Sequence, residues 1–371
     1  MSKARDIADL GSVTTRLDEV GNTDGALSNR NLIINGAMQV AQRGTSVTGI
    51  GSNAGGPFTC DRFQHAQGST GGSGVMTMEQ STDGPDGFSS SLKLTVTTAD
   101  TLSGGENVGI RHRIEGQNVQ HLKFGSSSAE SVTLSFWVKA SLTGTYSAQA
   151  HSAGGNRTAL EDYTVSSANT WEYKEITFVG DTGTAIANDN TRGFELFFSL
   201  DAGPDDIVDT YTWSDTAAFR AATGQVNFMA TNGATWQITG VQLELGKVAT
   251  PFDHPRSYAE ELAACQRYYL RLDDDGSRMA TGFISSSTRM DAAFSFPVTM
   301  RVAPTALETS GDATDYTIAN LSGSIVCTQI PLYQSASKNT AMVTFIATGL
   351  TAGAGSYRGL SDGFFAWSAE L

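Results

Sequence analysis

Charge is scarce in this sequence. Only 17% of its 371 residues are Asp, Glu, Lys or Arg, so long Glu/Lys-rich amphipathic helices have little to be built from. Basic residues are scarcer still: 24 Lys and Arg face 38 Asp and Glu, for a formal net charge of −14. Nucleic-acid binding depends on cations that neutralise phosphates, and no basic cluster is present, which argues against a nucleic-acid partner. Cysteine is nearly absent. Cys60, Cys265 and Cys327 are too distant from one another, and odd in number, for a disulfide framework or a metal motif. They read as isolated buried thiols, and no metal or other cofactor is expected. Long apolar runs are also missing. No stretch approaches the ~20 residues of a membrane span, and MSKARDIADLG lacks the apolar region of a secretory signal. The expectation is synthesis in the cytoplasm without membrane insertion.

What the chain has instead is 40 Gly, abundant Ser and Thr, and short apolar alternations. Val132, Leu134, Phe136 and Val138 alternate with Thr133, Ser135, Trp137 and Lys139, the mark of a strand with one buried face. Phe194, Leu196, Phe198 and Leu200 repeat the pattern, as do Met290, Ala292, Phe294 and Phe296, and then Phe365, Trp367 and Ala369. Around Gly240 the phase changes. Trp236 and Ile238 share one face, Val241, Leu243 and Leu245 the other, as a β-bulge requires. No period of 20–50 residues repeats, which disfavours solenoids and β-helices. The fold class is all-β: a jelly-roll sandwich, a short linker helix and a second, C-terminal sandwich.

The expected divisions are 1–29, 30–255, 256–270 and 271–371. In the first, Ile7, Leu10 and Leu17 fall on a short coiled-coil seam, two heptads long, suited to association with copies of itself or with a partner. A disordered terminus is the alternative. Pro251 and Pro255 interrupt strand pairing before Ser257 and Glu260, which fit a capping box. Leu262, Cys265 and Tyr269 then follow at helical spacing and are expected to face neighbouring subunits.

Three segments resemble a known family when taken together. They are Arg30-Asn31-Leu32-Ile33-Ile34-Asn35-Gly36-Ala37-Met38 with Ala41-Gln42-Arg43-Gly44; Cys60-Asp61-Arg62-Phe63; and the run from Trp236 through Gly240-Val241-Gln242-Leu243-Glu244-Leu245-Gly246 and Ala249-Thr250-Pro251-Phe252 to Cys265-Gln266-Arg267-Tyr268-Tyr269. The set resembles tail-fibre and head-spike proteins of tailed bacteriophages and related gene-transfer particles. The resemblance implies a homotrimeric appendage of the virion, joined to other virion proteins by its N-terminal segment, with distal β domains that meet the host. It also implies a middle domain similar to carbohydrate-binding modules. Many such modules carry an Asp pair before the last core strand that helps hold a structural calcium. Here those positions are Thr239 and Gly240, which offer no carboxylate.

Trp137, Tyr173 and Trp213 are the candidate carbohydrate-binding residues, because an aromatic ring can stack on a sugar and Tyr or Trp adds a hydrogen bond. Packing against a loop or a neighbouring subunit is the competing role for each. The loop from Asp201 to Asp209 gathers carboxylates but reads as a solvated turn without the ligand spacing of a calcium loop. Glu172 with Glu175, or Glu195 with Asp201, are the acid pairs a glycan-degrading enzyme would need. None of the five histidines has an HExxH or triad context, and no nucleophile elbow or P-loop occurs. The expected function is non-catalytic, multivalent attachment to a host-surface polysaccharide. A structural fibre subunit acting as a spacer or adaptor ranks second, and a glycan-degrading spike third.

Overall fold

The computed structural model describes residues 30–51, 55–57, 59–68, 72–207, 211–215, 221–273, 278–320, 323–359 and 363–371. The expected seam of Ile7, Leu10 and Leu17 lies outside the described residues. Internal contacts divide the chain into two units between Arg256 and Ser257.

The first unit contains β1 (Ser46–Ile50), β2 (Gly56–Pro57), β3 (Phe63–Gly68), β4 (Val75–Ser81), β5 (Ser91–Thr98), β6 (Asn107–Glu115), β7 (Val132–Ala140), β8 (Gly144–Ser152), β9 (Arg157–Val165), β10 (Glu172–Phe178), β11 (Arg192–Ala202) and β12 (Thr235–Leu245). One antiparallel sheet runs β1-β4-β5-β12-β7-β10 and the other β2-β3-β6-β11-β8-β9. Apart from the hairpins β2–β3, β4–β5 and β8–β9, neighbouring strands are distant in sequence, the connectivity of a jelly-roll sandwich. The alternations decide which face is buried. Val132, Leu134, Phe136 and Val138 of β7 share one core with Phe194, Leu196, Phe198 and Leu200 of β11. The Phe136 and Phe198 rings meet at 5.2 Å. Trp236 is fully buried, and its indole N–H donates to the Tyr163 hydroxyl at 3.3 Å.

β12 lies between β5 and β7, so the sheet is complete only when this last strand of the unit arrives. Its register against β7 slips between Thr239 and Gln242, and Gly240 takes φ +62 there. The expected bulge is therefore present, and it keeps Trp236 and Ile238 as well as Val241 and Leu243 in the core. The segment from Arg30 docks on the same strand. Leu32 N donates to Leu243 O at 2.9 Å, Val241 N to Gly36 O at 2.9 Å, and Asn31 Nδ2 to Val241 O at 3.0 Å. A Cβ on Gly36 would stand 2.1 Å from Val241 O, so no other residue fits. Buried Asn35 receives Val40 N at 2.9 Å and donates to the carbonyls of Val40 and Asp61. Two of the three resemblance segments thus meet on the third.

Asp201 ends β11 buried, not in a solvated turn, and accepts from Met229 N at 2.8 Å. Asp206 is buried as well and accepts from Asn107 Nδ2 at 3.1 Å. Burial pushes the Asp201 carboxyl up to about 7, against donation from the Met229 and Ala202 amides.

The second unit carries α1 (Tyr258–Gln266), then β13 (Tyr269–Asp273), β14 (Arg278–Ser286), β15 (Arg289–Ser295), β16 (Glu308–Thr309), β17 (Tyr316–Asn320), β18 (Gly323–Val326), β19 (Leu332–Ala336), β20 (Thr340–Ile346), β21 (Gly353–Gly359) and β22 (Phe364–Ser368). A small sheet, β13-β22-β16, and a large one, β18-β17-β21-β14-β15-β20-β19, enclose a core that includes Leu270, Ile284, Phe294, Phe345, Phe365 and Trp367. Ser257 caps α1, its hydroxyl accepting from Glu260 N at 3.2 Å. The helix belongs to this unit and is no separate connector. The interface expected of it needs correction. Cys265 is 0% exposed and Tyr269 1%, the latter on β13 with its hydroxyl donating to Glu308 at 3.0 Å. Side chains already enclosed by their own chain have no surface for a neighbour. Of the three residues, Leu262 alone is partly exposed. Cys60 and Cys327 are likewise buried, and none of the three thiols is in a disulfide.

Folding takes up a proton at Asp201 between its unfolded value of 3.8 and its folded value of about 7. Stability therefore falls as pH rises through that window, by at most roughly 1.4 kcal/mol per unit of difference. Thermal melts of the wild type and Asp201→Asn across the window are expected to diverge. The variant keeps an oxygen for Met229 N but loses the pH dependence, whereas parallel curves would place the titration elsewhere.

Candidate functional site

The outer face of the β7–β10 edge carries a cleft of about 480 Å³, lined by Phe88, Ser135, Trp137, Tyr173, Glu175, Gly240, Ala249, Thr250, Pro251 and Phe252. Its floor follows from strand alternation. With Phe136 and Val138 turned into the core, Ser135 and Trp137 project outward. Tyr173 sits directly opposite Trp137 in the ladder and Glu175 opposite Ser135. The Trp137 and Tyr173 rings lie 5.4 Å apart at 52°, within the range of a favourable aromatic pair. Trp137 is partly buried, while Tyr173 is 41% exposed.

The far wall is a strap, residues 246–253, that folds back after β12. Beyond the bulge, Gln242 and Glu244 point outward and are nonetheless buried, because the strap covers them. Glu244 accepts from Thr250 N at 2.8 Å, from Thr250 Oγ1 at 2.7 Å and from Gln242 Nε2 at 2.9 Å. Gln242 Oε1 accepts from Asp253 N at 2.7 Å, and its Nε2 also donates to Thr250 O at 3.1 Å. These bonds hold Pro251 and Phe252 over the sheet. Phe252 meets Phe88 edge-on at 5.0 Å, and exposed His254 packs on Phe252 at 4.7 Å. At the floor, a Cβ on Gly240 would come within 2.7 Å of Phe88 Cζ and 3.1 Å of Trp137 Cδ1. Glycine there serves both the positive φ and the approach of the two rings.

The Tyr173 hydroxyl is close to Ser135 and Glu175. Partial burial, followed by the Glu175 and Glu244 carboxylates, raises its pKa despite the opposing effect of Ser135. Trp171, in phase with Tyr173, flanks this face. Its N–H donates to Asp83 at 3.3 Å and the Lys139 ammonium sits 5.7 Å over its ring. Lys139 pairs with Asp83, and chiefly that bond lowers the Asp83 pKa. The arrangement offers four aromatic surfaces around hydroxyl and carboxylate groups, a lining suited to a polar ring with apolar faces.

Trp137 and Tyr173 are thus brought together, and Trp213 is not with them. Its ring packs on Phe124 at 5.5 Å and its N–H donates to Val179 O at 2.6 Å, so it acts in packing. Phe88 and Phe252 were not legible as site residues, because both sit in loops without alternation. The ATPF segment adjoining the bulge was the available signal for Phe252. Neither acid pair forms a convergent couple. Glu172 and Glu175 take opposite faces of β10, and Glu172 accepts the amides of Ser166 and Ser167. Glu195 pairs with Arg113 and Arg192, six residues from Asp201 on β11, roughly 20 Å away along an extended strand.

Removing the Glu244 carboxylate with Glu244→Ala leaves the two Thr250 donors without their acceptor, while Gln242 Nε2 keeps Thr250 O as a partner. The expected loss is about 2–3 kcal/mol in chemical denaturation, with Phe252 freed from the cleft. Unchanged stability would show that the strap is held by other contacts.

No protein-family model matches this sequence, and no curated protein matches it. Among solved structures, the chain is similar to the enzymatically active domain of tailspike protein 4 of bacteriophage CBA120, at 15% identity and a TM-score of 0.31. That match covers 58% of this chain and 21% of the tailspike domain. The chain is also similar to a family 11 carbohydrate-binding module of Clostridium thermocellum in complex with a mixed-linked tetrasaccharide, at 9% identity and a TM-score of 0.28, covering 51% of this chain and 91% of the module. The N-terminal cellulose-binding domain of a Cellulomonas fimi glucanase matches at 14% identity and a TM-score of 0.26, over 47% and 90% of the two chains. Likenesses this distant carry no functional meaning by themselves.

Proposed function

We propose that this chain is a non-catalytic fibre or spike protein of a tailed-phage particle that attaches the virion to a host-surface glycan. The observation that carries the reading is the convergence of Trp137, Tyr173, Phe88 and Phe252 on one open cleft with Glu175 and Ser135 beside them. Large aromatic rings left partly exposed next to hydrogen-bonding groups are costly to keep unless a ligand covers them. The motifs of residues 30–63 and 236–269 supply the phage resemblance, and with it the homotrimer and the N-terminal link to other virion proteins. Three linked copies raise effective concentration, so each cleft need bind only weakly.

The spacer reading has one observation in its favour. On the outer face of the large sheet, Phe283 is 62% exposed, Leu332 44% and Met342 38%. Phe283 and Leu332 lie in one cross-strand row through Asp291 and Thr344. Assembly through this face would make the second unit a building element.

Two measurements test these readings. Binding of the full chain to host cells and to their purified surface polysaccharide is expected to fall more than about tenfold with Trp137→Ala or Tyr173→Ala, as for loss of an anchoring aromatic. Trp213→Ala should lower the melting temperature and leave affinity unchanged; equal loss from all three would argue that folding, not the cleft, is being measured. Light scattering of Phe283→Lys checks assembly. A smaller oligomer than the wild type places the second unit in the interface, and an unchanged one removes it.

A further inference from the structure

We infer that the cleft selects neutral, hydroxyl-rich sugars against acidic ones, and that Glu175 is the residue that decides. This rests on the glycan reading of the same cleft and adds its chemical class. Of the ten lining residues, Glu175 alone carries a charge at neutral pH; none is Lys, Arg or His. It stands exposed on β10 at the mouth, opposite Ser135 and two residues from Tyr173. An ionised carboxylate is acceptor-only, with two oxygens. It fits two neighbouring hydroxyls of a sugar ring, both donating, while the ring's apolar face lies on Trp137 and Tyr173.

The surroundings reinforce the sign. The buried Glu244 carboxylate lies beneath the strap, close enough to act on the Tyr173 hydroxyl. Beside the lining, His254 packs on Phe252 and Phe88, and three basic side chains are engaged elsewhere. Lys139 pairs with Asp83, Lys174 pairs with Glu172 on the opposite phase of β10, and Arg30 reaches the Pro251 carbonyl at 3.4 Å. A uronate, sialate or sulfate group entering here would meet like charge with no Lys, Arg or His among the lining residues to compensate it, and juxtaposed like charges exclude partners effectively.

The test measures binding of the full chain to immobilised neutral polysaccharides (glucans, galactans, mannans) and acidic ones (alginate, hyaluronan, sulfated galactans), the uronates also after carboxyl reduction. Trp137→Ala and Glu175→Gln are run beside the wild type. The expected result is Trp137-dependent binding of neutral members, at least about tenfold tighter than of their acidic counterparts. Carboxyl reduction should recover binding, and Glu175→Gln should weaken neutral binding while narrowing the gap. Because Glu175 is exposed, this variant is expected to melt with the wild type. Acidic members bound as tightly as neutral ones, in a Trp137-dependent way, would overturn the charge selection and leave the glycan reading intact. Silence across the panel, or binding that Trp137→Ala leaves unchanged, would overturn the glycan reading and this inference with it.

Discussion

A strand that arrives last and sits in the middle has to satisfy everything around it, and β12 does so through one break in its own regularity. Against β7 on one side and β5 on the other, it must keep Trp236 and Ile238 in the core before Gly240 and Val241 and Leu243 in the core after it. A regular strand cannot do both, since its faces alternate every residue. The bulge at Gly240 inserts the needed half-step, at a φ of +62 that favours glycine. The segment from Asn31 to Gly36 and the strap after Gly246 then dock on the strand so corrected.

The same half-step builds the cleft. It turns Gln242 and Glu244 outward, where they clasp Thr250 and hold Phe252 against Phe88. It also leaves the floor bare at Gly240, so that Phe88 and Trp137 both close on that position. Two buried polar side chains outside the core would be a liability without partners. Here their bonds are satisfied by the strap, and the polar clasp positions an aromatic wall.

Polar groups mark the difference between packing and presentation elsewhere in the chain. Trp213 is partly buried like Trp137, yet its N–H is spent on a carbonyl and its ring on Phe124. Trp137 keeps its edge toward the cleft, with Tyr173 fixed beside it across the ladder. The acids divide the same way. Glu172, Glu195 and Asp201 are engaged by backbone amides or arginines, whereas Glu175 faces the opening.

Alternation along the chain by itself determined the all-β class, the buried faces of β7 and β11, the bulge at Gly240 and the outward placement of Trp137, because a period of two is a local property that burial enforces residue by residue. The capping of α1 by Ser257 was equally local. Tertiary structure alone decided that Tyr173 stands opposite Trp137, that Phe88 and Phe252 close the cleft, and that Cys265 and Tyr269 are enclosed by their own chain. Those outcomes depend on register between strands some 36 residues apart, and on loops whose course is set by hydrogen bonds to residues well away in sequence. No periodicity reports such partners. A ring in a loop and a ring on a strand carry the same composition, and only the neighbours that folding brings decide which is covered and which is offered.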